Sequence, residues 1–114
     1  MHREKRAHQR FHSELEARLF FGNMFYKSQV TNLSEGGLFV RTRVNFPIDS
    51  VFVTVILLNQ HTLNILSRVK RAMRPENHGT PRNNFGMGLE LINPAEDYTA
   101  YVRSYQASEG RPIQ

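Results

Sequence analysis

Six short stretches with strand-like patterning, separated by turn residues at intervals of roughly 8–12, run through most of this 114-residue chain and limit its fold more than any other feature. Glu14-Leu15-Glu16-Ala17-Arg18-Leu19 alternates polar and apolar, as a half-buried strand does, and Gly22-Asn23 follows as a turn. Residues 24–33 form the second stretch, with Tyr26, Ser28 and Val30 on one face and Lys27, Gln29 and Thr31 on the other. Leu38 to Thr42 is the third. Val51 to Leu58 is almost continuously apolar and β-branched, the pattern of a strand covered on both faces. Leu63 to Arg71 points Leu63, Ile65 and Val69 inward, and Phe85 to Leu91 points Phe85, Met87, Leu89 and Leu91 inward with Gly86 and Gly88 on the other face. The period then changes. Asn93 as cap, Pro94 in the first turn and the acids Glu96 and Asp97 start a helix, on which Tyr98, Tyr101, Val102 and Tyr105 make one stripe. The expected fold is therefore mostly β, a sandwich or a barrel of six strands with one C-terminal α-helix, and a closed barrel would also remove exposed edges.

A chain of 114 residues is enough for one domain with one core. A hydrophobic fraction of 39 %, with eight Phe and four Tyr, is enough for a packed core and argues against global disorder. The absence of cysteine excludes disulfides, a Cys nucleophile and Cys-bound zinc, and fits a reducing cytoplasm. No apolar run reaches the roughly 18 residues of a membrane helix, and the polar start Met1-His2-Arg3-Glu4-Lys5-Arg6 does not read as a signal peptide. The net charge of +5 favours anionic partners. Its excess is concentrated in residues 1–10, with Arg3, Lys5, Arg6 and Arg10 against Glu4, and in residues 68–74, with Arg68, Lys70, Arg71 and Arg74 and no acid.

Two segments carry candidate chemistry. Arg6-Ala7-His8-Gln9-Arg10 places two guanidinium forks four residues apart on a basic arm, and each fork can pair with phosphate oxygens or with the O6 and N7 of guanine. Asn32-Leu33-Ser34-Glu35-Gly36-Gly37 breaks the second strand. Its Asn and Ser bond neighbouring backbone, and its glycines allow positive φ or close approach by another group. Each segment alone has an ordinary explanation, as a solvated basic stretch and as a turn.

Taken together, an Arg-x-x-x-Arg just before the first strand and an Asn-x-Ser-x-x-Gly between the second and third resemble the signature of PilZ domains. These are small bacterial β-barrels that sense the second messenger cyclic di-GMP, so the fold that the resemblance implies is a mostly β, six-stranded antiparallel barrel with one C-terminal α-helix. Gly36-Gly37-Leu38-Phe39-Val40 is similar to the start of the family's third strand, and Gly86-Met87-Gly88-Leu89-Glu90-Leu91 to its late strand, so the likeness runs from about residue 3 to 107. It implies that Arg6 and Arg10 contact guanine and phosphate, that Asn32 and Ser34 bond the second guanine or backbone, and that Gly36 and Gly37 let the ligand close in. It also implies that Lys5 influences whether one ligand or a stacked pair binds, and that Arg71 or Arg74 adds a contact. Asn at position 32, where the family also uses Asp, removes a charge suited to the guanine donors.

The implied function is a sensor and adaptor that binds cyclic di-GMP as a ligand, with no cofactor, and signals to an effector protein. Its parts are a mobile arm over 1–10 that orders on binding, a barrel and helix over 11–107, and a tail over 108–114, in a monomer or dimer. An enzyme is not expected: Ser34 has no base nearby in sequence, and no phosphate-binding or nucleophile-elbow motif occurs. The alternatives are a ligand-free adaptor of the same fold and a basic barrel that stacks single-stranded nucleic acid on its phenylalanines. Nucleic acid ranks low, because the related four-stranded RNA-binding fold needs two helices and this chain offers one.

Overall fold

The computed structural model describes residues 11–73 and 86–108. Six strands follow in order: β1 (Phe11–Phe21), β2 (Met24–Leu33), β3 (Gly37–Arg41), β4 (Val51–Leu57), β5 (Thr62–Met73) and β6 (Gly86–Leu91), and then the helix α1 (Glu96–Ser108). All neighbours are antiparallel and the sheet closes on itself in the order β1-β2-β3-β6-β5-β4, with β4 returning to β1. This is the expected barrel and helix. The arm at 1–10, Arg74, the loop through Phe85 and the tail beyond 108 lie outside the described residues.

The inward positions of every strand meet in one core. Leu19, Val30, Leu33, Val40, Ile56, Val69 and Met87 have no exposed surface, and Leu38, Leu63 and Ile65 have almost none. Each such side chain contributes roughly 1.5–3 kcal/mol by leaving water, so alternation along the strands is the main driving force for closure. One end of the barrel is filled by aromatic rings. Phe46, from the segment after β3, stacks on Phe21 at 4.2 Å and meets Phe52 edge-on at 4.9 Å. At the other end α1 lays Tyr98 and Val102 into the core.

Three local expectations differ from the structure. β4 is not covered on both faces: Phe52, Thr54 and Ile56 are buried, while Val51 and Val53 are exposed. An apolar run in a barrel with no outer layer leaves half of its residues facing water. Asn93 does not cap α1; it takes a left-handed φ of 47°, and the carbonyl of Ala95 receives the first amides, from Tyr98 at 3.1 Å and Thr99 at 3.3 Å. β1 is also longer than its alternating residues 14–19 indicated, because hairpin pairing continues past them: it pairs with β2 from Phe11↔Leu33 to Phe21↔Met24.

A buried hydroxyl pair lies between β4 and β5. Thr54 Oγ1 and Ser67 Oγ are 2.9 Å apart, and the Ser67 hydroxyl also donates to the Ile65 carbonyl at 3.1 Å. Ser67 thus accepts from Thr54, and the two substitutions are unequal. Ser67→Ala strands the Thr54 hydroxyl in the core and is expected to lower stability by about 1–3 kcal/mol. Thr54→Val leaves Ser67 satisfied by Ile65 and is expected to change stability by less than about 1 kcal/mol. Urea midpoints at constant m decide the matter, and equal losses in the two variants would refute this donor assignment.

Candidate functional site

The outer face of the barrel beside the Asn32–Gly37 turn is arranged by irregularities in the strands. Between Val30 and Asn32 the β2–β3 register shifts by one residue, so that Val30 faces Val40 but Asn32 faces Phe39. Strict alternation from the inward Val30 would bury Asn32. The extra residue instead turns Leu33 into the core and Asn32 outward, next to Phe39. Between Val69 and Arg71 β5 does the same against β6: Val69 faces Leu89, but Arg71 faces Gly88. A third shift, between His12 and Leu15 of β1, brings His12 opposite Asn32.

These shifts produce one row across five strands: His12, Asn32, Phe39, Gly88, Arg71. Asn32, Phe39 and Arg71, set in line by this register, point to the same face, the outside. At about 4.8 Å per strand, Asn32 and Arg71 stand roughly 14 Å apart. The two glycines of β6 make the floor flat. A Cβ on Gly86 would meet the Phe39 ring at 2.5 Å, and one on Gly88 would meet Arg71 Nε at 3.2 Å, so ring and guanidinium lie directly on the β6 backbone. Sequence patterning placed Gly86 and Gly88 outward; it did not reveal that Phe39 and Arg71 occupy the space above them. On the same face Glu90 pairs with Arg68 at 3.6 Å and Lys70 at 3.9 Å, so those two cations are partly neutralised.

The turn itself is held tightly. The Ser34 side chain is nearly buried, and its Oγ accepts from the amides of Gly37 at 3.1 Å and Gly36 at 3.3 Å. The Ser34 amide donates to the Gly37 carbonyl at 3.0 Å. The Gly36 carbonyl accepts from the Leu91 amide at 3.1 Å, which ties the turn to β6. Gly37 does not use positive φ; among the described glycines only Gly22 does. Its role in the fold is close approach, since a Cβ there would stand 2.8 Å from the Leu89 carbonyl oxygen. From the far side, α1 grips the same turn. Tyr98, fully buried, donates its hydroxyl to the Ser34 carbonyl, and Arg103 binds both carboxylate oxygens of Glu35 at 3.0 and 3.4 Å. Burial keeps the Tyr98 phenol above its ordinary pKa, outweighing the opposite effect of the Ser34 bond, so the hydroxyl stays a donor.

Of the residues singled out from sequence, Asn32, Ser34, Gly36 and Gly37 thus come together at one edge of the row, and Arg71 lies at the other. Arg6, Arg10, Lys5 and Arg74 lie outside the described residues. Tyr98 and Arg103 were not among the sequence candidates for the site, and Phe39 entered only as one of the phenylalanines that could stack single-stranded nucleic acid. An apolar residue next to a turn and a helical Tyr give no signal of their own, because only the closed barrel sets Phe39 over Gly86 and Tyr98 under Ser34. Among the described residues no helix is long and apolar enough to cross a membrane.

The comparisons agree with this geometry. The family model for the PilZ domain matches residues 4–105. Among solved structures, the inhibitor of motility MotI/DgrA of Bacillus subtilis superposes with a TM-score of 0.73 at 19 % identity over 96 % of this chain. The chain spans only 55 % of that protein's length. The PilZ domain of YcgR from Escherichia coli, solved with c-di-GMP, gives a TM-score of 0.68 at 12 % identity, covering 88 % of this chain and 87 % of that one. At such identities the two structures establish a shared fold. No curated protein sequence matches. PilZ is a family of ligand-binding and adaptor domains, not of enzymes. With a barrel, helix and turn of this form, and a family match over nearly its whole length, the chain belongs to the PilZ domain family.

Proposed function

We propose that this protein is a cyclic di-GMP receptor that passes the signal to an effector protein. The observation that carries the reading is the outer row from Asn32 to Arg71, which ends beside the point where the N-terminal arm joins the barrel. Asn32 offers an amide to a guanine edge, and the Phe39 ring and Arg71 guanidinium offer flat surfaces to a base. Ser34, Gly36 and Gly37 support this reading by fixing the turn on which Asn32 rests.

Arg10 is two residues from His12 and Arg6 is six, so the arm can reach roughly 20 Å from the row's first member. That exceeds the width of the row. Folded across it, the arm would set the Arg6 and Arg10 forks on phosphate or on guanine O6 and N7, with Lys5 beside them. Arg74, one residue past the Met73 that faces Gly86, would approach from the far side. Binding then orders the arm and changes the surface offered to a partner, in a soluble cytoplasmic protein acting on motility or biofilm formation. YcgR, an established structure of the same fold with c-di-GMP, supports the choice of ligand.

The test is isothermal titration of cyclic di-GMP into the protein and its variants. Arg6→Ala/Arg10→Ala is expected to weaken binding by at least about 100-fold, as loss of two charge-assisted pairs implies. Arg71→Ala is expected to lose about 10-fold, and Arg68→Ala, whose guanidinium is occupied by Glu90, almost nothing. Absence of binding to the folded wild type would overturn the receptor and leave the ligand-free adaptor.

A further inference from the structure

A second surface, beside the β1–β2 hairpin, is apolar where a water-facing sheet is normally polar. Phe25 of β2 faces Phe20 of β1, Phe20 faces Val53 of β4, and Val53 faces Leu66 of β5. These four residues form one row on the outer face, with exposures of 51, 46, 37 and 43 %. Val51 continues the patch along β4. Isolated exposed apolar residues need no explanation, but a contiguous row across four strands does. Core packing does not account for it, since none of the four belongs to the core cluster.

The surroundings are cationic. In the adjacent row Arg18 faces Lys27, and the Arg18 guanidinium lies 5.5 Å from the Phe25 ring centre. On the other flank Val51 faces Arg68. Phe25 is also the shared wall of a groove of about 780 Å³ that continues past Lys27 and Gln29 to Arg41 and Arg43, with no acidic residue among the described residues that line it. Arg41 is steadied there by a hydrogen bond to Gln29. Among the described residues the nearest carboxylates in sequence or register are Glu16, which faces Gln29 of the groove, Asp49, two residues before Val51, and Glu90, which is taken up by Arg68 and Lys70.

We propose that this row and its basic groove are the docking site for an acidic amphipathic segment of a partner protein. Its apolar face would cover Phe20, Phe25, Val53 and Leu66, and its carboxylates would meet Lys27, Arg41 and Arg43. The charge selects this occupant over a second copy of the chain. A symmetric pair of copies would bring these cations against their own equivalents, in a protein with net charge +5. The proposal deepens the adaptor half of the functional reading and is independent of the ligand half, because the row shares no residue with the Asn32–Arg71 surface.

The experiment uses two synthetic amphipathic helices of roughly 18 residues with the same Leu/Phe face, one flanked by Glu and one by Lys. Each is titrated into nucleotide-free, isotopically labelled protein and followed by amide chemical shifts. The acidic peptide is expected to shift Phe20, Phe25, Lys27, Val53 and Leu66, and to bind at least about 10-fold tighter than the basic one at low salt. Phe25→Ser and, independently, Lys27→Glu are expected to weaken it by a similar factor with the fold intact by circular dichroism. Equal binding of both peptides, shifts elsewhere, no shifts, or concentration-dependent self-association lost in Phe25→Ser would each overturn the proposal. A parallel titration of cyclic di-GMP into the same variants keeps the two readings separable, since neither substitution touches the ligand row.

Discussion

Gly37→Val is expected to destabilise the barrel by about 3 kcal/mol, at the upper end of the cost of forced overpacking, and Gly37→Ala by somewhat less. Any Cβ at this position stands 2.8 Å from the Leu89 carbonyl oxygen, which is backbone and cannot rotate away. The strand cannot move as a whole either. Gly36 is tied to Leu91 on one side and Ser34 is bonded to Gly37 on the other. The strain must therefore open the β3–β6 ladder, one of the six seams that close the barrel. Gly88→Ala is the control. Its Cβ would meet the Arg71 side chain at 3.2 Å, and a side chain can shift by a few tenths of an ångström, so the stability loss is expected to stay below about 1 kcal/mol. That shift displaces Arg71 from the row and should weaken the ligand instead. Urea unfolding and cyclic di-GMP titration of the two variants thus give crossed results. If Gly37→Ala keeps wild-type stability and loses only ligand, the glycine serves approach of the ligand and not closure of the barrel.

The contrast between these glycines shows what the sequence makes legible. Strand-like patterning and turn spacing identify the six strands, and period two gives inward residues such as Leu19, Leu63 and Met87, because their burial depends only on which face of a strand each occupies. The helix is legible for the same reason, through Tyr98 and Val102. The site is legible as two motifs and a family likeness, but its shape is not. Asn32 reaches the surface through the shift after Val30, and Arg71 reaches it through the shift after Val69, and continued alternation would send both inward. A bulge depends on how two distant strands align, which no local pattern encodes. The outer apolar row was hidden differently. Val51 to Leu58 looks like a strand buried on both sides, and only the barrel, with no second layer over β4, exposes Val51 and Val53.

Tyr98→Ala is expected to be the most damaging substitution in the helix, at about 3–5 kcal/mol, the range for removing a large buried aromatic side chain. Tyr98 has no exposed surface and is the largest of the fully buried side chains. It joins α1 to the core and to the Ser34 carbonyl at once. The other link between helix and turn, Arg103 with Glu35, is largely exposed on the arginine side, and a solvent-screened pair of this kind cannot hold α1 in place alone. Tyr98→Phe separates the two roles: it keeps the packing, leaves the Ser34 carbonyl unpaired, and should cost about 1–2 kcal/mol. The difference between the variants is then the contribution of the ring. The same pair tests whether α1 stabilises the turn that carries Asn32. Hydrogen exchange at the Gly36 and Gly37 amides, both bonded to Ser34 Oγ, should quicken in Tyr98→Phe and more so in Tyr98→Ala, while the β4–β5 ladder changes only with global stability. Unchanged exchange at Gly36 and Gly37 in a destabilised Tyr98→Phe would mean that the turn holds itself through Ser34 alone, and that the helix acts on the core but not on the site.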